Sequence, residues 1–566
     1  MSEQKKCKNC GEEFEISDED LEFYQKMTIE TGDKRFSIPS PTFCPSCRSQ
    51  RRLAYRNDRT LYKGKCAMTG EEAITMFNPE RGYTIYEAKS WWSDKWDPLT
   101  FGIDYDESKS VFEQYKELQK KVPRFNLFNV DSENCDYVNY APHCKNCYLL
   151  FGSWFNENCY YGQTLNECKD SFDSTFLDKS ELCYGCIDSD SSYSAIHCQN
   201  CSNTRESVLC FDCHDVSNCL YCYNLKNKQY HINNKPATKE EYEAERKKLS
   251  SYLYLKQKEV EFAEEVKNVV LHKFYVGLNN ENVSGNFIFN CKNTKRSFSV
   301  YRNEDVAYCA RMLEGKDSYD FDGGGKSELT LENMSNDFSY LSIGCTTCEH
   351  MKGTHYSDLC FNCENCFGCV GLRKKQYCIL NKQYTKDEYE KLLAQIIERM
   401  ISDGEWGEFP PVKNSPFALN ETMAQEYFPI TKEEAVSKGY NWQEIQLESD
   451  SSHSKEEIPD DIKDVDVSIL QKVLTCEESG RSFKIIPHEL DYLKKMGLPI
   501  PRLHPDERHN LRMQKRNPRQ LWKRQCMCEE TGHNHQGKCP KEFETTYAPD
   551  RKEKVYCEVC YQKSII

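Results

Sequence analysis

The sequence has no long apolar run. No stretch approaches the roughly 18 consecutive apolar residues that a membrane-spanning helix needs. The first residues, Met-Ser-Glu-Gln-Lys-Lys-Cys, lack the apolar core of a signal peptide. Hydrophobic residues make up 38% and charged residues 29% of the chain, a composition typical of soluble globular domains. We therefore expect a cytoplasmic protein without a membrane segment.

Catalytic patterns are also missing. We find no Ser/His/Asp order, no His-Glu-x-x-His motif and no dinucleotide-binding fingerprint, and the 13 histidines are scattered. The segment 320–327 ends in Gly-Gly-Gly-Lys-Ser, but a phosphate-binding loop needs glycine six residues before the lysine, where this chain has Asp320. We predict that the protein is not an enzyme and identify no small-molecule substrate.

Cysteine, by contrast, is abundant, with 33 among 566 residues. An odd number of cysteines cannot all pair, and a reducing cytosol disfavours structural disulfides. We expect these thiols to be metal ligands, packing residues or redox groups. The length alone predicts three to five domains.

Two cysteine pairs near the N-terminus have the spacing of a structural zinc site. Cys7 and Cys10 form one Cys-x-x-Cys pair, and Cys44 and Cys47 form the other. Four thiolates complete a tetrahedral Zn²⁺ site and leave no open position for chemistry. We predict an N-terminal zinc module over residues 1–90.

The residues around these pairs resemble a known domain family. The run Cys-x-x-Cys-Gly-x-x-Phe-x-Ile from Cys7, followed by Phe-Tyr-x-Lys and Cys-Pro-x-Cys-Arg, is similar to the probable zinc-ribbon (treble-clef) domain of many bacterial proteins. The match covers residues 5–52, and the whole chain resembles uncharacterised bacterial zinc-ribbon proteins with cysteine-rich repeats. The resemblance implies zinc binding and supplies no activity.

The C-terminal region repeats the N-terminal module. Residues 475–485 align with residues 6–16, and Cys526 aligns with Cys66. At the first ligand positions the repeat has a poor zinc site, formed by Cys476, Ser479, His504 and Glu507.

A second ligand set follows in the C-terminal module, at 468–566. We predict that zinc is bound there by Cys526, Cys528, Cys557 and Cys560, with Cys539 as the reserve ligand. His533 and His535 are lesser options. About one zinc ion per module, and so about two per chain, is expected.

Both end modules carry an arginine-rich stretch. A basic helix beside a zinc knuckle can bind phosphates, which makes these arginines candidates for RNA or DNA contact. Alternatively, they pair with the protein's own acidic surface, since the net charge is −15. The candidates are Arg48, Arg51, Arg52, Arg56, Arg508, Arg512, Arg516 and Arg519.

The middle of the chain has a three-residue period. All 13 cysteines between residues 132 and 225 lie in one three-residue frame, and no residue in that frame is charged or aromatic. A 12-residue period lies on top of it, as in Cys186, Cys198, Cys210 and Cys222. The two periods predict a narrow β-solenoid with 12-residue coils, four inward positions per coil and Asn or Asp at the corners. Nine cysteines between residues 285 and 380 predict a second solenoid.

The inward cysteines have two interpretations. As small apolar residues they fit a narrow core, which we favour; as thiols they offer metal storage or redox chemistry. Beside them runs an apolar column of Tyr148, Tyr160, Phe172 and Tyr184. Such a strip stabilises the ladder by stacking or binds a protein partner or a second copy of the chain.

The predicted fold class is a mainly β, multidomain protein with two Cys-rich β-solenoids, helical caps and two small zinc-ribbon α+β end modules. The predicted function is a non-catalytic zinc-binding scaffold or interaction protein, and the alternative is a metal-storage or thiol-redox protein. The regions are residues 1–90 (zinc module), 91–128 (Trp-rich linker and helix), 129–235 (first solenoid), 236–276 (helical cap), 277–382 (second solenoid), 383–402 (helical cap), 403–445 (irregular), 446–467 (acidic disordered linker) and 468–566 (zinc module).

Overall fold

The computed structural model describes residues 2–444 and 457–565. Short strands dominate these ranges, with helices between them. None of the helices in the described ranges combines the length and apolar character that crossing a membrane requires. The helices are Asp18–Lys26, Pro45–Leu53, Ala88–Trp91, Val111–Lys121, Lys239–Lys248, Tyr252–Asn268, Lys386–Asp403, Met423–Tyr427, Lys432–Ser437, Pro487–Met496, Pro505–Gln514 and Glu558–Ser564.

The N-terminal module consists of small antiparallel hairpins and short helices. Its second helix, Pro45–Leu53, begins with proline at the first helical position, where the missing N–H is not needed. Cys44 is the N-cap of that helix, so the metal-ligand pair Cys44 and Cys47 lies at the helix start. The strands of the hairpins are Glu3–Lys6, Glu13–Ile16, Ile29–Thr31, Lys34–Phe36, Tyr62–Lys65 and Glu72–Thr75. A further strand, Ile85–Tyr86, pairs in parallel with Arg124–Phe125 of the following segment.

Residues 129–235, here called the first ladder, pair in parallel with residues 12 positions further along. Cys210 pairs with Cys222, and Tyr148 pairs with Tyr160. The 12-residue period read from the sequence is therefore the register of the backbone pairing. The strands are Gln163–Asn166, Thr175–Asp178, Ile187–Asp190, Val208–Phe211, Ser217–Tyr223, Gln229–Ile232 and Lys235–Pro236.

Residues 277–382, the second ladder, have the same parallel register over most of their length, as in Cys366 with Cys378. At its start the pairing is 11 positions apart, as in Glu281 with Lys292, and its last strand pairs antiparallel. Gly323 and Gly324 belong to one of its strands, Lys316–Gly325, so the glycine run is not a loop before a helix. The strands are Gly277–Leu278, Glu281–Phe289, Lys292–Tyr301, Glu304–Ala307, Ala310–Leu313, Lys316–Gly325, Glu328–Asp337, Tyr340–Ile343, Thr346–Glu349, Lys352–His355, Glu364–Phe367, Gln376–Ile379 and Lys382–Gln383.

Every third residue of the ladders has a left-handed backbone conformation. The predicted corner residues Asp188, Asn200, Asp212 and Asn224 have φ between 48° and 56°. The same conformation recurs at bulky residues such as Phe155, for which it is unfavourable by about 1–2 kcal/mol. Parallel backbone hydrogen bonds between successive 12-residue repeats hold these residues in place. Each left-handed residue directly precedes a residue whose side chain points inward.

The inward positions are tightly packed. Cys186, Cys198 and Cys210 have 0% exposure, and their neighbours in the core are Cys, Ser, Ala and Leu. Most ladder thiols contact one backbone carbonyl of their own 12-residue repeat and one of the next repeat, whereas a few, such as Cys363, contact only the former. The Cys198 Sγ atom, for example, lies 3.5 Å from the Ile196 oxygen and 3.6 Å from the Ser207 oxygen. These thiols therefore fill the core and donate weak hydrogen bonds to backbone carbonyl oxygens.

A helix closes the C-terminal end of each ladder. Helix Lys239–Lys248 follows the first ladder, and Tyr242 packs edge-on against Tyr230 with ring centroids 5.8 Å apart. Helix Lys386–Asp403 follows the second, and Tyr389 packs on Tyr377 at 5.7 Å. Covering the last strand in this way protects an edge that would otherwise pair with another chain.

The acidic segment predicted as a disordered linker over residues 446–467 falls partly outside the described residues. Its last part, 457–467, is described and packs on the first helical cap. Ser250 donates a hydrogen bond to Asp461 over 2.8 Å, and Ile462 is buried. The prediction of disorder is wrong for this part, because Ile462 and Val465 supply buried apolar contacts.

The remaining strands, in the C-terminal module and before the second ladder, are Leu271–Lys273, Leu474–Thr475, Ser482–Phe483, Trp522–Gln525, Glu542–Thr545 and Lys554–Tyr556.

Candidate metal centres

The four N-terminal cysteines converge. The donor atoms of Cys7, Cys10, Cys44 and Cys47 all lie within 4.8 Å of one another. The Cys10 and Cys44 sulfurs are 3.7 Å apart, close to the roughly 3.8 Å edge of a tetrahedron with metal–sulfur bonds of about 2.3 Å. Asn9 donates a hydrogen bond to the Cys47 sulfur over 3.2 Å, as an outer-shell partner would. The predicted set can hold a metal ion.

The backbone turn that presents Cys7 recurs in the described part of the chain. In the first turn the Cys7 amide donates to the carbonyl five residues further on, and the glycine amide of Gly11 donates back to Cys7. Cys66 with Gly70 and Cys476 with Gly480 repeat both bonds. The Cys526 amide makes only the first of them, to the Lys541 carbonyl at the end of a longer loop. Each end module therefore contains two related cysteine turns.

Two of the four copies lack a full ligand set. Where Cys44 and Cys557 begin their helices, the other two copies have Glu87 and His504 as N-caps. The prediction that the Cys476 site is a poor one agrees with this. Within the described residues neither Cys66 nor Cys476 belongs to a group of three or more converging metal-binding side chains.

The C-terminal cysteines form a second tetrathiol cluster, in which the reserve ligand takes part. Cys526, Cys539, Cys557 and Cys560 have donor atoms within 4.8 Å of one another. The prediction that Cys528 completes this set is wrong, because the long loop folds back so that the Cys539 amide bonds to the Cys528 carbonyl. That pairing brings the Cys539 sulfur to the cluster.

Four thiolates this close together would repel one another, so without a cation the buried thiols keep their protons. Burial raises the pKa of the Cys526 thiol to about 11, and its neighbour Cys557 adds to the effect. Metal binding deprotonates such thiols, so affinity depends on pH and protons are released. Both clusters have four soft donors and no obvious open position, the arrangement of a structural site.

The four candidate arginines of the N-terminal module, Arg48, Arg51, Arg52 and Arg56, are buried. Arg48 and Arg52 are 2% and 0% exposed. The Arg48 Nε atom lies 2.9 Å from Asp320, and Arg52 contacts Asp322 at 2.9 Å and Glu332 at 2.7 Å, all three acids in the second ladder. In the same way, Arg51 pairs with Glu408 and Arg56 with Asp58.

The C-terminal arginines bind the first ladder at the matching place. Arg508 and Arg512 both pair with Asp173, and Arg512 also donates to Thr175 over 3.1 Å. Arg516 pairs with Asp188 at 2.8 Å. Arg519 lies 3.4 Å from Asp322 and so reaches the second ladder.

Asp173 and Asp320 occupy the same position in the two ladders, counted back from the aligned Asn218-Cys219 and Asn365-Cys366. Each end module thus docks on the ladder that is more distant in sequence, through equivalent arginines. The candidate nucleic-acid residues are buried and form ion pairs with carboxylates of this chain, as the alternative of internal pairing predicts.

The apolar column of the first ladder is also covered. Phe172 stacks on Tyr492 of the C-terminal module with ring centroids 4.3 Å apart. In the second ladder Tyr319 stacks on Phe23 of the N-terminal module at 3.9 Å. The strip predicted as a docking surface for a partner therefore packs against the protein's own end modules.

The ladder thiols form no comparable cluster. Among residues 2–444 and 457–565, the converging groups of metal-binding side chains contain no cysteine between positions 129 and 382. All 33 cysteines are free thiols that form no disulfide bond.

Comparison of the chain with protein-family models and with curated proteins finds no match.

Proposed function

We propose that this chain is a non-catalytic, zinc-binding scaffold, in which two metal modules clamp two narrow β-solenoids into one body. The observation that carries the proposal is the docking of each tetrathiol module on a ladder through a buried arginine helix. Arg52 has 0% side-chain exposure, and its acidic partner Asp322 has 1%. Such contacts favour a permanent, rigid arrangement over a transient one.

Zinc is the metal that fits the donor set best. Four thiolates in a closed tetrahedron select Zn²⁺ among the common hard and borderline cations, and they leave no position for water or substrate. The zinc-ribbon resemblance of residues 5–52 supports the same choice. The metal would hold the hairpin with Cys7 to the helix that begins at Cys44, and so fix the direction of the arginine helix.

The metal-storage or redox alternative has less support. It needs several thiols that converge on one point, whereas the ladder thiols contact carbonyls in rows, as Cys198 does. The surface left for a protein partner or a second copy consists of scattered exposed aromatics such as Phe155, Tyr193 and Phe338. For a scaffold, we expect a partner to bind at these exposed aromatic residues.

The test is the metal content of the full-length protein purified without oxygen, with Cys44→Ser as the variant and Cys476→Ser as the matched control. We expect Cys44→Ser to lose one zinc ion per chain and to become more sensitive to protease around residues 1–60. Cys476→Ser should keep the wild-type zinc content. Stoichiometric iron, or no metal loss in Cys44→Ser, would contradict the proposal.

A further inference from the structure

The loop between Cys526 and Lys541 distinguishes the C-terminal cluster from its three counterparts. The Cys526 amide bonds to the Lys541 carbonyl, whereas the Cys7, Cys66 and Cys476 amides each bond to a carbonyl only five residues away. The additional residues contain Cys528, His533 and His535. These three donors have no equivalent in the other turns.

The additional donors form a group of their own next to the tetrathiol cluster. Cys528, His533, His535 and Cys560 have donor atoms within 4.8 Å of one another. The His533 Nδ1 atom lies 3.1 Å from the Cys528 sulfur, and the His535 Nε2 atom lies 3.4 Å from the Cys560 sulfur. Nitrogen–sulfur distances of about 3.5 Å are expected between ligands of one tetrahedral Zn²⁺ ion. Cys560 belongs to both groups.

Each histidine has its second ring nitrogen beside an acceptor. The His535 Nδ1 atom is 2.7 Å from the Gly537 carbonyl oxygen, and the His533 Nε2 atom is 3.4 Å from a Glu530 carboxylate oxygen. Histidines that bind metals donate the other N–H to a carboxylate or carbonyl in this way, which fixes the tautomer and the ring orientation. Two histidines on an ordinary surface loop would not both need an acceptor beside the second ring nitrogen.

The loop is fastened to the helix that carries Cys560. Tyr556 donates to Glu530 over 3.3 Å, and Ser564 donates to the same carboxylate over 3.0 Å. Lys563 donates to Asn534, which lies between the two histidines, over 2.7 Å. The second group is therefore held in place by residues outside it.

From this geometry we propose that the C-terminal module holds a two-zinc centre in which the Cys560 thiolate bridges both ions. One ion is bound by Cys526, Cys539, Cys557 and Cys560, and the other by Cys528, His533, His535 and Cys560. A thiolate sulfur has enough lone pairs to bind two cations. The second ion also reduces the excess negative charge that a single Zn²⁺ leaves on four thiolates, because it brings two positive charges and only one further thiolate.

This proposal rests on zinc binding at the tetrathiol clusters, and it raises the expected content from about two to about three zinc ions per chain. The test is zinc counting on the full-length protein purified without oxygen. The double variant His533→Ala/His535→Ala should lose one ion of the three and keep its fold by circular dichroism. The matched double variant Cys476→Ser/His504→Ala should lose none.

The bridge itself is tested by replacing zinc with ¹¹³Cd. We expect two C-terminal ¹¹³Cd signals that are coupled to each other through the shared sulfur, and a third signal without coupling. In His533→Ala/His535→Ala the coupling and one signal should disappear.

Two zinc ions in the wild type, with no loss in His533→Ala/His535→Ala, would overturn the two-zinc centre and leave the scaffold proposal intact. Three ions without cadmium–cadmium coupling would overturn the bridge. The scaffold proposal fails separately, if Cys44→Ser keeps the wild-type zinc content.

Discussion

The Arg52 Nε atom donates a hydrogen bond to the Asp322 Oδ2 atom over 2.9 Å, although the two residues are 270 positions apart in the chain. Arg52 comes from the N-terminal metal module and Asp322 from the second ladder. Neither side chain reaches solvent, so removing Arg52 leaves the Asp322 carboxylate buried with only its longer ion pair to Arg519.

Replacement of Arg52 by methionine should reduce the free energy of unfolding by about 3–5 kcal/mol, because three buried carboxylates each lose one of their two arginine partners. Chemical denaturation measures the loss. Lys34→Met is the control, since Lys34 pairs with Glu398 on the surface, where water and salt screen the pair, and it should change the stability little. Equal effects of the two variants would show that the Arg52 contact does not stabilise the docked module.

The ladder thiols should be protected from alkylation in the folded protein. Cys198 and Cys210 have 0% exposure, so iodoacetamide can reach them only after unfolding. Mass spectrometry of chelator-treated protein should find modification at the end clusters first, for example at the exposed Cys10. Rapid labelling of Cys198 in the native state would contradict the packing described for the ladders.

Stability should fall below pH 6.5 because of a buried histidine. Burial lowers the pKa of His355 to about 3, so the unfolded chain binds a proton that the folded chain does not. The stabilising contribution is fully present above pH 6.5 and is lost at about 1.4 kcal/mol per pH unit as the pH falls toward 3. Denaturation of wild type and His355→Gln at pH 7.5, 6.5 and 5.5 measures it. The variant should show a smaller decline, and identical pH slopes would refute the assignment.

Gly324 should tolerate no side chain. Its φ is +123°, and a Cβ atom there would lie 2.1 Å from the Asn336 backbone oxygen on the next coil. Gly324→Ala should therefore destabilise the protein by about 3 kcal/mol or more. Gly82→Ala, at a left-handed position with open space, should cost only about 1–2 kcal/mol. A thermal shift no larger than that of Gly82→Ala would contradict the close approach of the coils.

The metal ligands illustrate how far local spacing carries a prediction. Cys7 and Cys10, like Cys44 and Cys47, are separated by two residues, so each pair is brought together by one turn and could be recognised directly. The choice between Cys528 and Cys539 could not be made in this way, because it depends on how a loop folds back. The signal that could have indicated the second group was the spacing of His533 and His535 within that loop.

The arginines illustrate the opposite case. Their helical spacing was evident, but a charge pattern has the same appearance whether the helix faces solvent or the protein interior. The acidic partners Asp173 and Asp320 lie far away in sequence, and nothing local indicates the pairing.

Properties that depend on short spacing could be predicted from the amino-acid pattern: the cysteine pairs of the end modules and the 12-residue register of the ladders. The docking of each module, the covered surfaces and the cysteine that completes the C-terminal cluster could not. The docking contacts join residues hundreds of positions apart, and the cluster depends on how a loop folds back, so their energies depend on burial and geometry that arise only when the chain has folded.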